Sequence, residues 1–418
     1  MTDRYVVVSS DCHGGGSVQG YKPYLDRAWH DEFDAWAAAF HDGWVDRERG
    51  GDDSLKVGAA SLAEEVNWDS ARRLRQLEND GIVGEVIFPN TAPPFFPAGA
   101  ISAPSPETRE EYERRWAGLQ AHNRWLVDFC AEVPGRRAGV AQVFLNDVDD
   151  AVAEIEWVAR SGLTGGILLP IVDPGSRIEP LHSRRYDPIF AACADAGIPV
   201  NHHANVAGAP DGKDSAGWAV AMCETPFFAG RGLWHLIFSG VFDRYPALRF
   251  VLTEQFVGWI PQKLMELDGF VASGKIPGSV AERFCAEALN SMQLLPSEYF
   301  ARNCYAGASF MLPMEAQMRH AIGVERIMWG ADYPHAEGTY PYSKEALRAC
   351  FADVPEDECR LMLGETAAEL YGLDRAALKA AADRCGPTVA EVSRPLADEG
   401  PVFPSESACF TFAGSGSW

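Results

Sequence analysis

Four short stretches of this chain carry side chains that could bind a metal ion. They are Asp11 with His13, the adjacent pair His202 and His203, Glu254, and Asp332 with His335. Asp11 and His13 are two residues apart, so on an extended strand they share one face. Alternation along a strand sends one of His202 and His203 inward and the other into the wall, where a packed histidine is as natural a reading as a ligand. Carboxylates that close apolar runs are costly to bury unless they are paired or hold a cation. Three carboxylates and three or four imidazoles in one crevice coexist when cations sit between them, which points to a metal-dependent enzyme.

These residues can converge only if the elements bearing them close on one another. Eight short apolar segments read as strands: Tyr5 to Ser10, Gly84 to Asn90, Ala138 to Leu145, Gly165 to Pro170, Ile198 to His203, Leu248 to Glu254, Phe300 to Ser309, and a last one opening at Ile327. Most are separated by helix-like stretches, such as Val148 to Ser161 after the capping residues Asn146 and Asp147. Strand, helix, strand at this spacing is a parallel crossover unit, and eight of them fit a (β/α)8 TIM barrel better than an open sheet. The candidate ligands then fall at the C-terminal strand ends, the rim on which such barrels build active sites. Residues 1–380 are expected to form the barrel domain, with rim insertions at 14–64 and 204–230 and an irregular C-terminal tail at 381–418. The proline- and phenylalanine-rich loop from Thr91 to Pro97 is expected to form an apolar pocket wall, while His30 and His41 in the first insertion read as lid or surface residues.

Composition narrows the function class. With 36 basic and 59 acidic residues the chain carries a formal charge of −23, which argues against nucleic acid or an anionic membrane as partner. No apolar run approaches membrane-spanning length and no charged-then-apolar leader pattern opens the chain, so a cytoplasmic location is expected. The ten cysteines form no Cys-x-x-Cys pair and read as free thiols. No glycine-rich phosphate loop follows a strand, which argues against a nucleotide or flavin site.

The acidic-x-His pattern of Asp11 and His13, the histidine closing strand five, and the run from Trp329 through Gly330, Asp332 and Tyr333 to Pro334 resemble the amidohydrolase-related superfamily. The similarity is to its branch of hydrolases and nonoxidative decarboxylases like aminocarboxymuconate semialdehyde decarboxylase, and it spans roughly residues 5 to 375. It implies that Asp11, His13, His203 and Asp332 are metal ligands. Asp11 stands where many members have a first histidine. Strand six in those decarboxylases ends in a histidine that acts on substrate, and Glu254 occupies that position here. A carboxylate there suits a second metal, so the favoured expectation is a dinuclear non-haem iron monooxygenase, of a kind found on this barrel, that hydroxylates a largely apolar natural-product substrate. Two iron ions would then be bound by Asp11, His13, His203, Glu254 and Asp332, with His202 as a further candidate, and electrons would come from an external donor. The alternative is a mononuclear zinc or manganese hydrolase or decarboxylase in which Glu254 is a base. Glu254, His335 and His202 are the candidate catalytic residues, and a homodimer is the expected assembly.

Overall fold

The computed structural model describes residues 3–40, 65–97, 99, 101, 103–172, 176–204, 215–396 and 407–413. The strands are β1 (Val8–Gly14), β2 (Gly84–Pro89), β3 (Arg137–Gly139), β4 (Ala141–Gln142), β5 (Ile167–Leu168), β6 (Val200–His203), β7 (Phe250–Thr253), β8 (Cys304–Ser309) and β9 (Ile327–Gly330). All pairings are parallel, in the orders β1-β2-β3 and β4-β5-β6-β7-β8-β9. β3 and β4 are two halves of one strand, interrupted at Val140, whose N–H donates to the Ile87 carbonyl of β2 at 2.9 Å. That makes eight barrel strands, and the fold is a (β/α)8 barrel. Residues beyond the regular ladders join first strand to last: the Asp332 N–H donates to the Asp11 carbonyl at 2.9 Å, and the His13 N–H to the Tyr333 carbonyl at 2.6 Å.

The strands are buried along nearly their whole length, as parallel strands covered by helices must be. Local chemistry fixes the crossovers. Asp147 caps Val148–Ser161, which Gly162 ends in the left-handed conformation, and Thr108 caps the 23-residue helix Arg109–Ala131.

Several expectations shift. The first strand does not stop at Ser10 but runs to Gly14, so Asp11 and His13 lie within it. A bulge lets three residues, Ser10 to Cys12, advance the register by only two, from Ser9 opposite Glu85 to Cys12 opposite Ile87. Phe300 to Asn303 belongs to the helix Pro296–Asn303, begun by its proline, and β8 starts only at Cys304. The described part of the second insertion continues into the stretch after it as one helix, Ser215–Ser239. The chain after 380 is not simply irregular: the helix Arg375–Cys385 extends into it, and the Pro387 carbonyl accepts from the Tyr5 N–H at 2.9 Å. Of the first insertion, His41 and the charged run after it lie outside the described residues. No helix among the described residues is long and apolar enough to cross a membrane.

Candidate metal centre

Backbone geometry at the strand ends aims the carboxylates. Glu254, the residue after β7, and Asp332, two after β9, both have φ of +54°, and Phe310 after β8 has +41°. Left-handed backbone is strained for residues with a Cβ, and here it recurs at the two carboxylate-bearing strand ends. Six side chains meet. The Nε2 atom of His13 lies 3.4 Å from Asp11 Oδ1, 3.4 Å from Glu254 Oε2 and 3.2 Å from Asp332 Oδ1. His203 Nε2 lies 3.4 Å from Asp11 Oδ1 and 2.9 Å from Glu254 Oε2, while His335 Nδ1 is 2.8 Å from Asp332 Oδ1. Two overlapping groups, Asp11, His13, His203 and Glu254, and His13, Glu254, Asp332 and His335, each place four donor atoms within 4.8 Å of one another.

The hydrogen bonds behind these atoms decide what they can do. His13 Nδ1 faces the Pro89 carbonyl at 3.3 Å and His203 Nδ1 the Ala204 carbonyl at 2.7 Å. A ring nitrogen facing a carbonyl must carry a proton, so the second proton of each ring sits on Nε2, and its removal leaves a lone pair aimed into the cluster. Asp11 is held likewise: Ser309 Oγ donates to Oδ2 at 2.5 Å, leaving Oδ1 free. Outside the cluster itself, Asp11 Oδ1, His13 Nε2, His203 Nε2 and both Asp332 carboxylate oxygens are buried without a hydrogen-bond partner. Orphaned donors of this kind, mutually close and of mixed nitrogen and oxygen type, fit a divalent cation.

Electrostatics agree. Burial alone would raise Asp11 and Glu254, but His13 and His203 outweigh it, holding Asp11 far below the carboxylate range and Glu254 at about 2. Burial would lower His203, yet Glu254 and Asp11 push it up to about 10, and Asp11, Asp332 and Glu254 hold His13 well above the ordinary imidazole value. Protons thus neutralise a cluster of excess negative charge, a task that a bound cation takes over by displacing them.

His202 is not brought to the cluster. It occupies the other face of β6, where a Cβ on Gly232 would lie 3.1 Å from its ring, against the helix Ser215–Ser239. The Thr91 to Pro97 loop spends its aromatic rings on packing: Phe96 stacks on Phe144 at 5.8 Å, and Phe95 meets Trp29, Phe33 and Trp36. Supporting residues that sequence reading passed over include Ser309, whose signal was a hydroxyl closing a small-residue strand, and Asn90, whose Oδ1 is 3.3 Å from His335 Nε2. Arg73 donates to the His13 carbonyl at 2.6 Å and pairs with Glu85, which Arg137 also holds at 2.8 Å. Glu337 borders the site, pushed above its ordinary range by burial and by Asp332.

The family model described as amidohydrolase matches residues 79–373. The γ-resorcylate decarboxylase of Rhodococcus jostii is 28% identical over 289 residues, covering 66% of this chain and 83% of that protein. The γ-resorcylate decarboxylase of a Polaromonas species is 25% identical over 272 residues, covering 63% of this chain and 76% of that protein. Among solved structures, 5-carboxyvanillate decarboxylase from Sphingomonas paucimobilis superposes with a TM-score of 0.60 at 18% identity, covering 88% of this chain and 99% of its own. The 5-carboxyvanillate decarboxylase of Novosphingobium aromaticivorans, solved with manganese bound, gives 0.63 at 18% identity, covering 88% of this chain and 97% of its own. These findings overturn the expectation of a dinuclear iron monooxygenase. The relatives are decarboxylases rather than oxidoreductases, and loss of carbon dioxide from a carboxylic acid requires no external electron donor.

Proposed function

The chain belongs to the amidohydrolase family, in the branch similar to aminocarboxymuconate semialdehyde decarboxylase, and on that premise we propose that it is a metal-dependent nonoxidative decarboxylase of a small aromatic hydroxy acid. The observation that carries the metal assignment is the set of buried, unpartnered donors, Asp11 Oδ1, His13 Nε2, His203 Nε2 and the Asp332 carboxylate. These four residues would hold one divalent cation, with manganese favoured over iron by the relatives that contain it. When bound, the cation supplies an electrophile that fixes an anionic substrate and accepts charge developing on it.

The chain's own residues handle the proton. Replacing a carbon–carboxylate bond by carbon–hydrogen requires one proton at the carbon that loses carbon dioxide. We assign that transfer to His335; what supports it is Asp332 Oδ1 2.8 Å from its Nδ1 and Asn90 Oδ1 3.3 Å from its Nε2, on a ring stacked 4.1 Å from His13. Glu254, whose side chain is 20% exposed while its Oε2 reaches both His13 and His203, is positioned to pass protons between solvent and the site. Its carboxylate stands where the resemblance places a histidine, so the proton path is where this chain departs from the decarboxylases it resembles.

The test is to load the protein with manganese, measure metal per chain, and follow carbon dioxide release from 2,6-dihydroxybenzoate, 5-carboxyvanillate and related hydroxybenzoates. Release that disappears on chelation and returns with metal is the expected result. A fully loaded protein that leaves every acid of the panel intact would refute the reading. Glu254→Gln should retain the metal and slow turnover; loss of the cation instead would make Glu254 a ligand.

A further inference from the structure

The helix Val280–Ser291 is apolar on two sides. Its inner side packs Ala281 and Leu289 against Val271 of the helix Ile260–Ser273, with half-buried Cys285 beside them. Its outer side carries Val280, 73% exposed, and Phe284, 82% exposed, one helical turn apart. Ile276, 59% exposed, stands four residues before Val280 in the preceding turn. The stripe is held in place at its start: Ser279 Oγ accepts from the Glu282 N–H at 3.0 Å, and the Ser279 N–H donates to the Ile276 carbonyl at 3.1 Å. Single apolar residues on a surface are ordinary, but three at a spacing of four form one contact line. The adjoining helix Ile260–Ser273 exposes Met265 at 69% and Phe270 at 40%.

Two charges flank this line. Arg283 and Glu287 are both exposed, and at 3.6 residues per turn they fall with Val280 and Phe284 within about 100° of arc. They stand four apart in the order basic before acidic, the less favourable one along a helix. Among the described residues neither has an ion-pair partner. A formal charge of −23 makes two copies of this chain repel over most of their surface. This stripe is self-complementary instead. Antiparallel pairing about a twofold axis near Phe284 sets Arg283 level with the partner's Glu287, and by symmetry Glu287 level with the partner's Arg283, with Phe284 and Val280 of both copies between them. A partner of different sequence would need its own acid and base at this spacing, whereas a second copy has both. We propose that the outer side of the helix Val280–Ser291 is the centre of a twofold interface between two copies of this chain, with Phe284 as its anchor. The inference does not depend on the decarboxylase reading.

The experiment is sedimentation velocity of the full chain over a range of concentrations, where a dimer is expected. Phe284→Glu should raise the dissociation constant roughly 30-fold or more, the loss typical of an aromatic anchor at the middle of an interface. Arg283→Glu and Glu287→Arg each set like charges against one another twice per dimer, and each should weaken self-association by roughly tenfold. Mixed in equal amounts, these two variants should pair with each other as tightly as the parent does with itself, because both contacts then join opposite charges. All three positions are exposed, and a circular dichroism spectrum matching the parent's confirms that each variant folds. A monomeric parent overturns the proposal, as does a Phe284→Glu chain that dimerises like the parent. A mixture that pairs no better than either charge variant alone overturns the twofold register.

Discussion

Removing the hydroxyl of Ser309 should loosen the metal without touching a ligand. Ser309 Oγ donates to Asp11 Oδ2 at 2.5 Å, and both side chains are fully buried. That bond leaves Oδ1 as the oxygen that faces His13 and His203. In Ser309→Ala the carboxylate loses its anchor and can rotate, and Oδ2 becomes a second buried oxygen without a partner. Hydrogen bonds to charged groups contribute about 1.5–3 kcal/mol. At 1.4 kcal/mol per tenfold in affinity, this corresponds to metal binding weakened by roughly 10- to 100-fold, the range seen when residues behind metal ligands are changed. Affinity is read by competition with a chromophoric chelator, with the melting temperature of the metal-free protein measured alongside to separate a binding effect from a folding one. Ser309→Thr, which restores a hydroxyl, should recover most of the loss. If Ser309→Ala binds manganese within twofold of the parent, Asp11 is not held as a ligand through Ser309, and the account of the first strand fails.

Three other perturbations test the surroundings. Glu85→Gln leaves the buried guanidinium groups of Arg73 and Arg137 without their shared carboxylate, and should cost about 3–5 kcal/mol in urea unfolding. Because Arg73 also holds the His13 carbonyl, metal affinity should fall with it; an unchanged unfolding midpoint would count against the network. Burial pushes Asp80 up to about 6, so it keeps a proton in the folded state that it loses when unfolded. Its contribution is fully present below pH of about 4 and is lost as pH rises through about 6. Asp80→Asn should therefore be more stable than the parent by about 2 kcal/mol at pH near 7.5 and equal to it near pH 4; equal stability at both would contradict the shift. Gly118→Ala would place a Cβ 1.9 Å from the Pro94 carbonyl oxygen, so the helix Arg109–Ala131 and the Thr91 to Pro97 loop must part, at roughly 1–3 kcal/mol. A melting temperature equal to the parent's would show that the two elements are not in contact in solution.

The barrel and most of its rim could be read from the sequence because their signals are local. Apolar runs of parallel-strand type, capping residues such as Asp147 and breakers such as Gly197 declare themselves within a few positions. The convergence of Asp11, His13, His203, Glu254 and Asp332 followed from strand order alone. What could not be read depends on partners far along the chain. Alternation left His202 open, and only the packing of Gly232 and Phe250 against its ring sets its direction. Ser309 serves Asp11 across 298 positions, and no short pattern announces such a bond. The bulge in β1 adds one residue to the first strand's register, a feature set by pairing with β2. The error over chemistry had a different origin. Glu254 at a strand end suggests a second cation and hence oxygen activation, whereas a carboxylate at that position is equally at home in a proton path.

The seam between β1 and the segment after β9 has a consequence for biosynthesis. Asp11 and His13 are made more than 300 positions before Asp332 and His335, yet the same backbone bonds that close the barrel bring them together. A ribosome-bound chain that has not yet released its ninth strand holds an unfinished ligand set and an unclosed barrel. A cation held by the proposed ligand set could therefore be captured only after the segment following β9 has emerged, and it would lock that segment to β1. Metal uptake during pulse-labelled synthesis would then lag behind the appearance of the N-terminal half and coincide with resistance to protease.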